Sequence, residues 1–339
     1  MSTIRIISRK EIVSVLTMSD TIEAVEAAYS CKATGDGILW PLITYEFDPG
    51  HADLDIKSGW ITSENVYGLK LVSWFGNNPG QGLPALHGTT MLFNGTSGAP
   101  IGLLDAEYVT GMRTGAAGAI GAKYLARQDS QSLLMVGAGR QALFQISAAL
   151  TALPGLQSVR VHDPLSAAAA REFCVALPER LTQYVGAEKA AQVNIIPVED
   201  LREAVGASDV IITATPSRAP LIRKDWVRPG THLSCIGADM KGKQEIDENL
   251  FLDARVFVDD IEQALSVGEC EIPFNKGILT AGRVVAEIGQ VVCGKVRGRL
   301  SDTDVTIFDS TGIALQDLMV SKMVLDLASQ KSCGTLVEL

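Results

Sequence analysis

The sequence predicts a mixed α/β protein: a Rossmann-type doubly wound domain over residues 114–312, set inside a discontinuous α+β domain built from residues 1–113 and 313–339. Three observations carry this. A short apolar run at 133–136 feeds Gly137-Ala138-Gly139-Arg140-Gln141-Ala142, the pattern of a buried strand turning into a helix. Strand and helix patterns alternate from there to residue 312, whereas residues 39–106 read as strands joined by Gly, Asn and Pro turns. A last helix, 313–327, follows a strand at 305–308 through Gly312, and its apolar spacing suits packing on the N-terminal domain.

In chain order, Ser8-Arg9-Lys10-Glu11 is a capping box that opens a short helix, and Ser19-Asp20 opens a second that Gly35-Asp36-Gly37 breaks. Strands follow at 43–47, 54–57, 67–72 and 89–93, with Asn94-Gly95 marking a hairpin to 100–104. The small residues of 115–126 predict a helix that another backbone can approach closely; with no convincing strand before it, this is not a phosphate loop. The alternating region predicts strands at 133–136, 159–162, 193–198, 210–214, 232–236 and 256–258. Its helices fall at 141–152, 166–177, 199–205 and 261–267.

Composition excludes several function classes. The 339 residues are 47% hydrophobic and 20% charged, which predicts a well-buried globular chain. A formal net charge of −10 and the lack of any Lys/Arg-rich run predict no nucleic-acid partner. No apolar stretch nears 18 residues, so no membrane partner is expected. The first ten residues hold Arg5, Arg9 and Lys10 and lack the apolar centre of a secretory signal. Cys31, Cys174, Cys235, Cys270, Cys293 and Cys333 are scattered, which predicts reduced thiols, no metal site and a cytoplasmic location.

The glycine motif carries the chemistry. Gly137 lets the turn close, Gly139 lets backbone approach a pyrophosphate, and Ala142 keeps helix and strand close. Arg140 and Gln141 open the helix that would receive the phosphates; Arg140 is equally readable as a solvated helix start. The second strand ends at Asp163, 26 positions after Gly137. A carboxylate there accepts from both ribose hydroxyls and repels a 2′-phosphate, which favours NAD over NADP. Asp163 also precedes Pro164 and reads as a turn residue, a role compatible with the first.

At this point the chain resembles the ornithine cyclodeaminase/mu-crystallin family. The likeness lies in Lys70, in Gly111-Met112-Arg113-Thr114-Gly115-Ala116-Ala117, in Ala122-Lys123-Tyr124-Leu125-Ala126-Arg127, in Gly237-Ala238-Asp239-Met240-Lys241-Gly242-Lys243-Gln244-Glu245 and in Phe308-Asp309-Ser310-Thr311-Gly312 through Asp317. These blocks keep the family's order around Gly137 and cover nearly the whole chain. The resemblance implies that Lys70 and Arg113 hold a substrate carboxylate, Lys70 also serving in catalysis, and that Asp239 is the acid/base group facing the substrate nitrogen. It places Thr213, Thr215, Lys243 and Ser310 at the cofactor edge and Thr311 beside the substrate. It further implies a homodimer formed through the N-terminal sheet.

Two departures bear on the substrate. Ornithine cyclodeaminases carry an arginine after a proline in the first sheet, where this chain has Pro41-Leu42. They carry Glu-Leu-Met-Pro where it has Ile56-Lys57-Ser58-Gly59. Lys57 is therefore the candidate that replaces the missing carboxylate-binding arginine. His87 is either a residue facing the nicotinamide or a structural hydrogen-bonder. The implied activity is NAD(H)-dependent hydride transfer at the α-carbon of a small amino or imino acid. The alternatives are ornithine cyclodeamination with catalytic NAD and a non-catalytic, mu-crystallin-like binding role.

Overall fold

The computed structural model describes residues 3–48 and 51–339. The chain divides into two compact units, Met1–Arg113 with Ile313–Leu339, and Thr114–Gly312.

The first unit begins with β1 (Thr3–Ile7), α1 (Arg9–Val15) and α2 (Met18–Thr34). Ser8 and Glu11 close the expected reciprocal cap on α1. On α2 the cap is Thr17 rather than Ser19: Thr17 Oγ1 accepts from Asp20 N at 3.1 Å, and the Asp20 carboxylate accepts from Thr17 N. Gly35, at φ +89°, ends the helix in a conformation costly for any other residue. A meander follows: β2 (Gly37–Leu39), β3 (Ile43–Asp48), β4 (Ala52–Ile61), β5 (Val66–Phe75), β6 (Leu86–Asn94) and β7 (Pro100–Asp105). β2 and β3 both pair with β4, and every pairing from β2 to β7 is antiparallel. The next element, α3 (Ala106–Leu125), starts earlier than the glycine-rich pattern implies and carries Arg113 at mid-length.

The second unit continues through β8 (Ser132–Val136), α4 (Arg140–Ala152), β9 (Ser158–His162), α5 (Ala167–Val185), α6 (Ala187–Gln192), β10 (Asn194–Pro197), α7 (Leu201–Gly206) and β11 (Val210–Thr213). Then come β12 (Arg218–Ile222), β13 (His232–Cys235), β14 (Gln244–Ile246), β15 (Arg255–Val258), α8 (Ile261–Val267), α9 (Glu271–Asn275), β16 (Val284–Glu287), α10 (Ile288–Val292) and β17 (Thr306–Asp309). Its main sheet has the order β10-β9-β8-β11-β13-β17-β15-β16, and each pairing is parallel. All five residues of β8 are buried, as expected of a strand covered on both faces. Chain order reverses between β8 and β11, so the crevice at their carboxyl ends is where an open α/β sheet takes its ligand. α5 runs eight residues past the expected end at 177. Pro178 lies inside it, and burial of Leu177 and Leu181 on either side outweighs the lost backbone bond. The small-residue stretch of α3 behaves as expected: a Cβ added at Gly115 would lie 2.4 Å from the Phe144 carbonyl of α4.

The chain closes the first unit with α11 (Ala314–Gln330) and β18 (Thr335–Glu338), giving a sheet of order β18-β1-β7-β6-β5-β4-β2 with β3 on β4. α11 packs on β4, β5 and β6. Glycines on the covered face let it sit close: a Cβ at Gly68 would be 3.1 Å from Leu318 Cδ2, and one at Gly102 2.5 Å from Leu325 Cδ1. Side chains alternate across a strand, so Lys70 shares this face with Gly68, and Tyr67 lies on the other. That other face carries a ladder of Trp40, Tyr67 and Phe93, with ring centroids 5.9 and 5.0 Å apart. Ile43, Tyr45 and Phe47 on β3 are exposed.

Candidate active site

In the first unit, sheet register brings the predicted cations together. Lys57 on β4 is directly opposite Lys70 on β5, and Lys70 is opposite Thr90 on β6, so all three project from one face. Arg113 of α3 and Asp317, in the first turn of α11, complete the group. Lys70 Nζ lies 2.9 Å from Asp317 Oδ2, and Arg113 Nε donates to Oδ1 at 3.1 Å. Lys70, Arg113 and Asp317 are 3%, 7% and 0% exposed, so this charge cluster is withdrawn from water. Gln316 braces it: its Oε1 accepts from Arg113 Nη1 at 3.4 Å and from Ile313 N at 3.0 Å, and its Nε2 donates to the Tyr29 hydroxyl at 2.7 Å.

The electrostatics follow from that geometry. Burial pushes the Lys70 ammonium down to about 7, the Arg113 and Lys57 charges press the same way, and Asp317 opposes them. Burial alone would raise the Asp317 carboxyl, but Arg113 and Lys70 outweigh it and hold it below the usual aspartate range. Two buried cations share one carboxylate, and the Lys57 charge adds to theirs, a balance that invites an incoming anion. The Thr90 hydroxyl is buried beside Lys70 and has no hydrogen-bond partner among the described residues. His87 is exposed on the opposite face of β6, across from Ser73, so it does not join the cluster.

In the second unit, the glycine turn lies between β8 and α4. Gly137 takes φ +105°, and an added Cβ would sit 2.8 Å from the Ala214 carbonyl oxygen. Gly139 is the N-cap of α4: no side chain caps the helix there, and a Cβ would meet nothing within 4 Å. The helix N-terminus is thus open to an anion, with room for a phosphate against the backbone. Arg140 is exposed beside it, and Gln141 Oε1 is buried with no partner among the described residues. Asp163 follows β9. One carboxylate oxygen accepts from Ala138 N at 3.1 Å and the other from Leu165 N and Ser166 N, each at 3.0 Å. It therefore ties the glycine turn to the start of α5, and the oxygen on Ala138 retains a lone pair.

The other predicted residues sit at the carboxyl ends of the central strands. Asp239, in the loop after β13, is half exposed and pairs with Lys243 Nζ at 2.5 Å. Thr213 and Thr215 both donate to Glu245, each at 2.7 Å, and Thr215 N and Gly237 N also bond that carboxylate. Ser310 Oγ, Thr311 Oγ1 and Gly312 N converge on Asp259. Glu245 and Asp259 are the buried carboxylates that fix these hydroxyls; sequence reasoning gave Glu245 no role beyond its place in the resemblance and missed Asp259. It likewise quoted Asp317 in the resemblance without a role, and it missed Thr90. For Asp317 the available signal was a carboxylate amid the apolar run 313–320; for Thr90 only register could have shown it.

A parallel sheet with an open, uncapped helix N-terminus at its reversal point defines the class of dinucleotide-binding α/β proteins. Within that class, the chain belongs to the ornithine cyclodeaminase/mu-crystallin family, whose description matches residues 4–332. It is 36% identical to the alanine dehydrogenase of Archaeoglobus fulgidus over 98% of both chains. It is 34% identical to the iminosuccinate reductase of Paracoccus denitrificans, over 98% of this chain and 99% of that one. An archaeal alanine dehydrogenase dimer with bound NAD superposes with a TM-score of 0.90 over 99% of both chains, at 36% identity. The Thermococcus litoralis Δ1-pyrroline-2-carboxylate reductase, in complex with NADH and L-proline, gives 0.89 at 28% identity, covering 98% of this chain and 99% of that one.

Proposed function

We propose that this protein is an NAD(H)-dependent oxidoreductase acting at the α-carbon of a small amino or imino acid, as an imino-acid reductase or amino-acid dehydrogenase. The observation that carries the reading is the buried Lys70–Arg113 pair sharing Asp317, with Lys57 opposite Lys70: a ready receptor for a carboxylate. Relatives named for alanine, iminosuccinate and pyrroline-2-carboxylate, all small carboxylic acids, support it.

The residues divide the work by chemistry. Lys70, Arg113 and Lys57 bind the substrate carboxylate through charge-assisted hydrogen bonds and so orient Cα, an effect that can supply several kcal/mol of rate acceleration. Arg113 commits Nε and Nη1 to Asp317 and Gln316. In the second unit, Gly137 and Gly139 admit the pyrophosphate, Arg140 and Gln141 flank it, and Asp163 accepts from the ribose. Thr213, Thr215, Lys243 and Ser310 line the cofactor edge, and Thr311 meets the substrate. When bound, NAD supplies the hydride acceptor and NADH the donor. Asp239 gives a proton to the imine nitrogen during reduction, or takes one from the amine during oxidation, and Lys243 keeps its carboxylate in place. The unit holding the cations binds the substrate carboxylate and the other binds the cofactor.

The protein further reads as a homodimer joined through the exposed aromatic face of the first sheet, consistent with the dimer named for the archaeal relative. Among the described residues no helix is long and apolar enough to cross a membrane. Six free cysteines and use of NAD fit the reducing cytoplasm.

Absorbance at 340 nm tests the function. Loss of NADH is expected with Δ1-pyrroline-2-carboxylate, or with pyruvate or oxaloacetate plus ammonia. Proline and ammonia from ornithine, with NAD only catalytic, would replace this reading by cyclodeamination. Tight NADH binding with no turnover on the whole panel would leave a binding protein.

A further inference from the structure

We infer that Asp317 is a positioning residue that keeps Lys70 protonated and aligned with Arg113, and thereby sets the pH range over which the site captures a carboxylate. The inference rests on the proposed role of Lys70 and Arg113 as carboxylate ligands.

The geometry leaves Asp317 little other purpose. Its two oxygens are divided between the two cations, at 2.9 and 3.1 Å, and it is fully buried. A carboxylate buried only to stabilise a helix would be an expensive choice, since a well-packed apolar residue usually serves as well or better. Nor does it neutralise the group, because the two buried cations Lys70 and Arg113 still outnumber it. What it does is local. Lys70 is faced by Lys57 from β4, by Arg113 and the Thr110 hydroxyl from α3, by Thr90 from β6 and by Asp317 from α11. Tyr29 of α2 reaches the group through Gln316. Among these, Asp317 is the one negative charge opposing the discharge of Lys70. Its contact with Arg113 Nε also holds the guanidinium so that its far edge is turned away from Asp317.

The sign of the effect follows. With Asp317 in place Lys70 titrates near neutrality, and an arriving carboxylate raises that value further, so binding above pH 7 takes up a proton. Without the Asp317 charge, its offset to the Arg113 and Lys57 charges is gone and Lys70 discharges at lower pH. Asp317→Asn keeps the shape and still offers an oxygen to Arg113, so it removes charge with little change in packing.

The test uses the full-length protein with NADH and pyrrole-2-carboxylate, a planar carboxylate that cannot be reduced. In the wild type, affinity should decline on the alkaline side of about pH 7. In Asp317→Asn that decline should begin at least one pH unit lower, giving at least a tenfold loss at pH 8 and less than threefold at pH 5.5. Asp317→Glu retains the charge and should keep the wild-type pH dependence, even if affinity falls. NADH affinity in all three reports an intact fold. In parallel, lysine 13Cε NMR, with the Lys70 signal assigned from Lys70→Met, follows the titration with no ligand present. An Asp317→Asn signal that titrates where the wild type does, or an affinity loss equal at every pH, overturns the inference. A lowered Lys70 titration in a protein that binds no carboxylate at any pH sustains the role of Asp317 and overturns the proposed function instead.

Discussion

Two alanine substitutions in the same motif should fail in different ways. At Gly137, alanine meets two costs. Its φ of +105° is one that L-residues rarely adopt, worth about 1–2 kcal/mol. The new methyl would also sit 2.8 Å from the Ala214 carbonyl oxygen and 3.0 Å from Thr215 Cγ2, an overpacking worth about 1–3 kcal/mol. A total near 3 kcal/mol corresponds to a fall in Tm of about 6–12 °C for a unit of about 200 residues. At Gly139, φ is −80° and the methyl meets nothing within 4 Å, so the fold loses only the preference for glycine over alanine at an N-cap. That is about 1 kcal/mol, or 2–4 °C. The space the methyl enters is where a pyrophosphate must approach α4, so NADH affinity should fall at least about tenfold, or 1.4 kcal/mol. Thermal melts and NADH fluorescence titrations of both variants provide the comparison. A Gly139→Ala protein that binds NADH within twofold of wild type refutes the phosphate cradle, and a Gly137→Ala protein with an unchanged Tm refutes the strain argument.

Three further outcomes follow from the charge clusters and the sheet. Lys57→Met should raise the KM for the imino acid about tenfold with kcat little changed, the low end expected for a half-buried charged hydrogen bond; an unchanged KM removes Lys57 from the site. Asp309→Asn should stabilise the protein at pH 8. Burial, with the nearby Asp259 charge, pushes the Asp309 carboxyl up to about 7, so the stability it contributes is full below its unfolded value near 4 and is lost as pH rises through 7. The asparagine cannot ionise, so its Tm should exceed that of wild type at pH 8 and match it at pH 4; a gain equal at both values contradicts the assignment. Finally, the double substitution Tyr45→Glu, Phe47→Glu should convert a dimer to a monomer in light scattering, since these side chains are 60% and 53% exposed on the aromatic face. A variant that stays dimeric places the interface elsewhere.

What the sequence disclosed, and what it withheld, depended on how far apart the interacting residues lie. The turn at Gly137 was legible because strand, turn and helix are consecutive and each restricts its own backbone. The meander from β3 to β7 was legible for the same reason: hairpin partners are neighbours, and apolar alternation marks them. β1 was missed although Thr3-Ile4-Arg5-Ile6-Ile7 is a fair strand. Its partners are β7 and, in antiparallel register with Thr3 opposite Glu338, the far end of the chain. Five residues carry too weak a pattern to announce such a partner. The carboxylate receptor shows the same limit at the level of chemistry. Lys70 and Arg113 were found by resemblance, yet neither position alone distinguishes a ligand from a surface cation. What makes them a receptor is burial on a shared carboxylate, and Asp317 lies 204 residues beyond Arg113. At the start of a helix an aspartate is ordinarily explained by the helix dipole, a local reason that ends the inquiry too soon. Only the packing of α11 on the sheet turns that residue from a helix-start preference into the counter-charge of a binding site. Thr90 makes the point again: its place beside Lys70 is a fact of strand register, and one residue of slip would send it to the aromatic face.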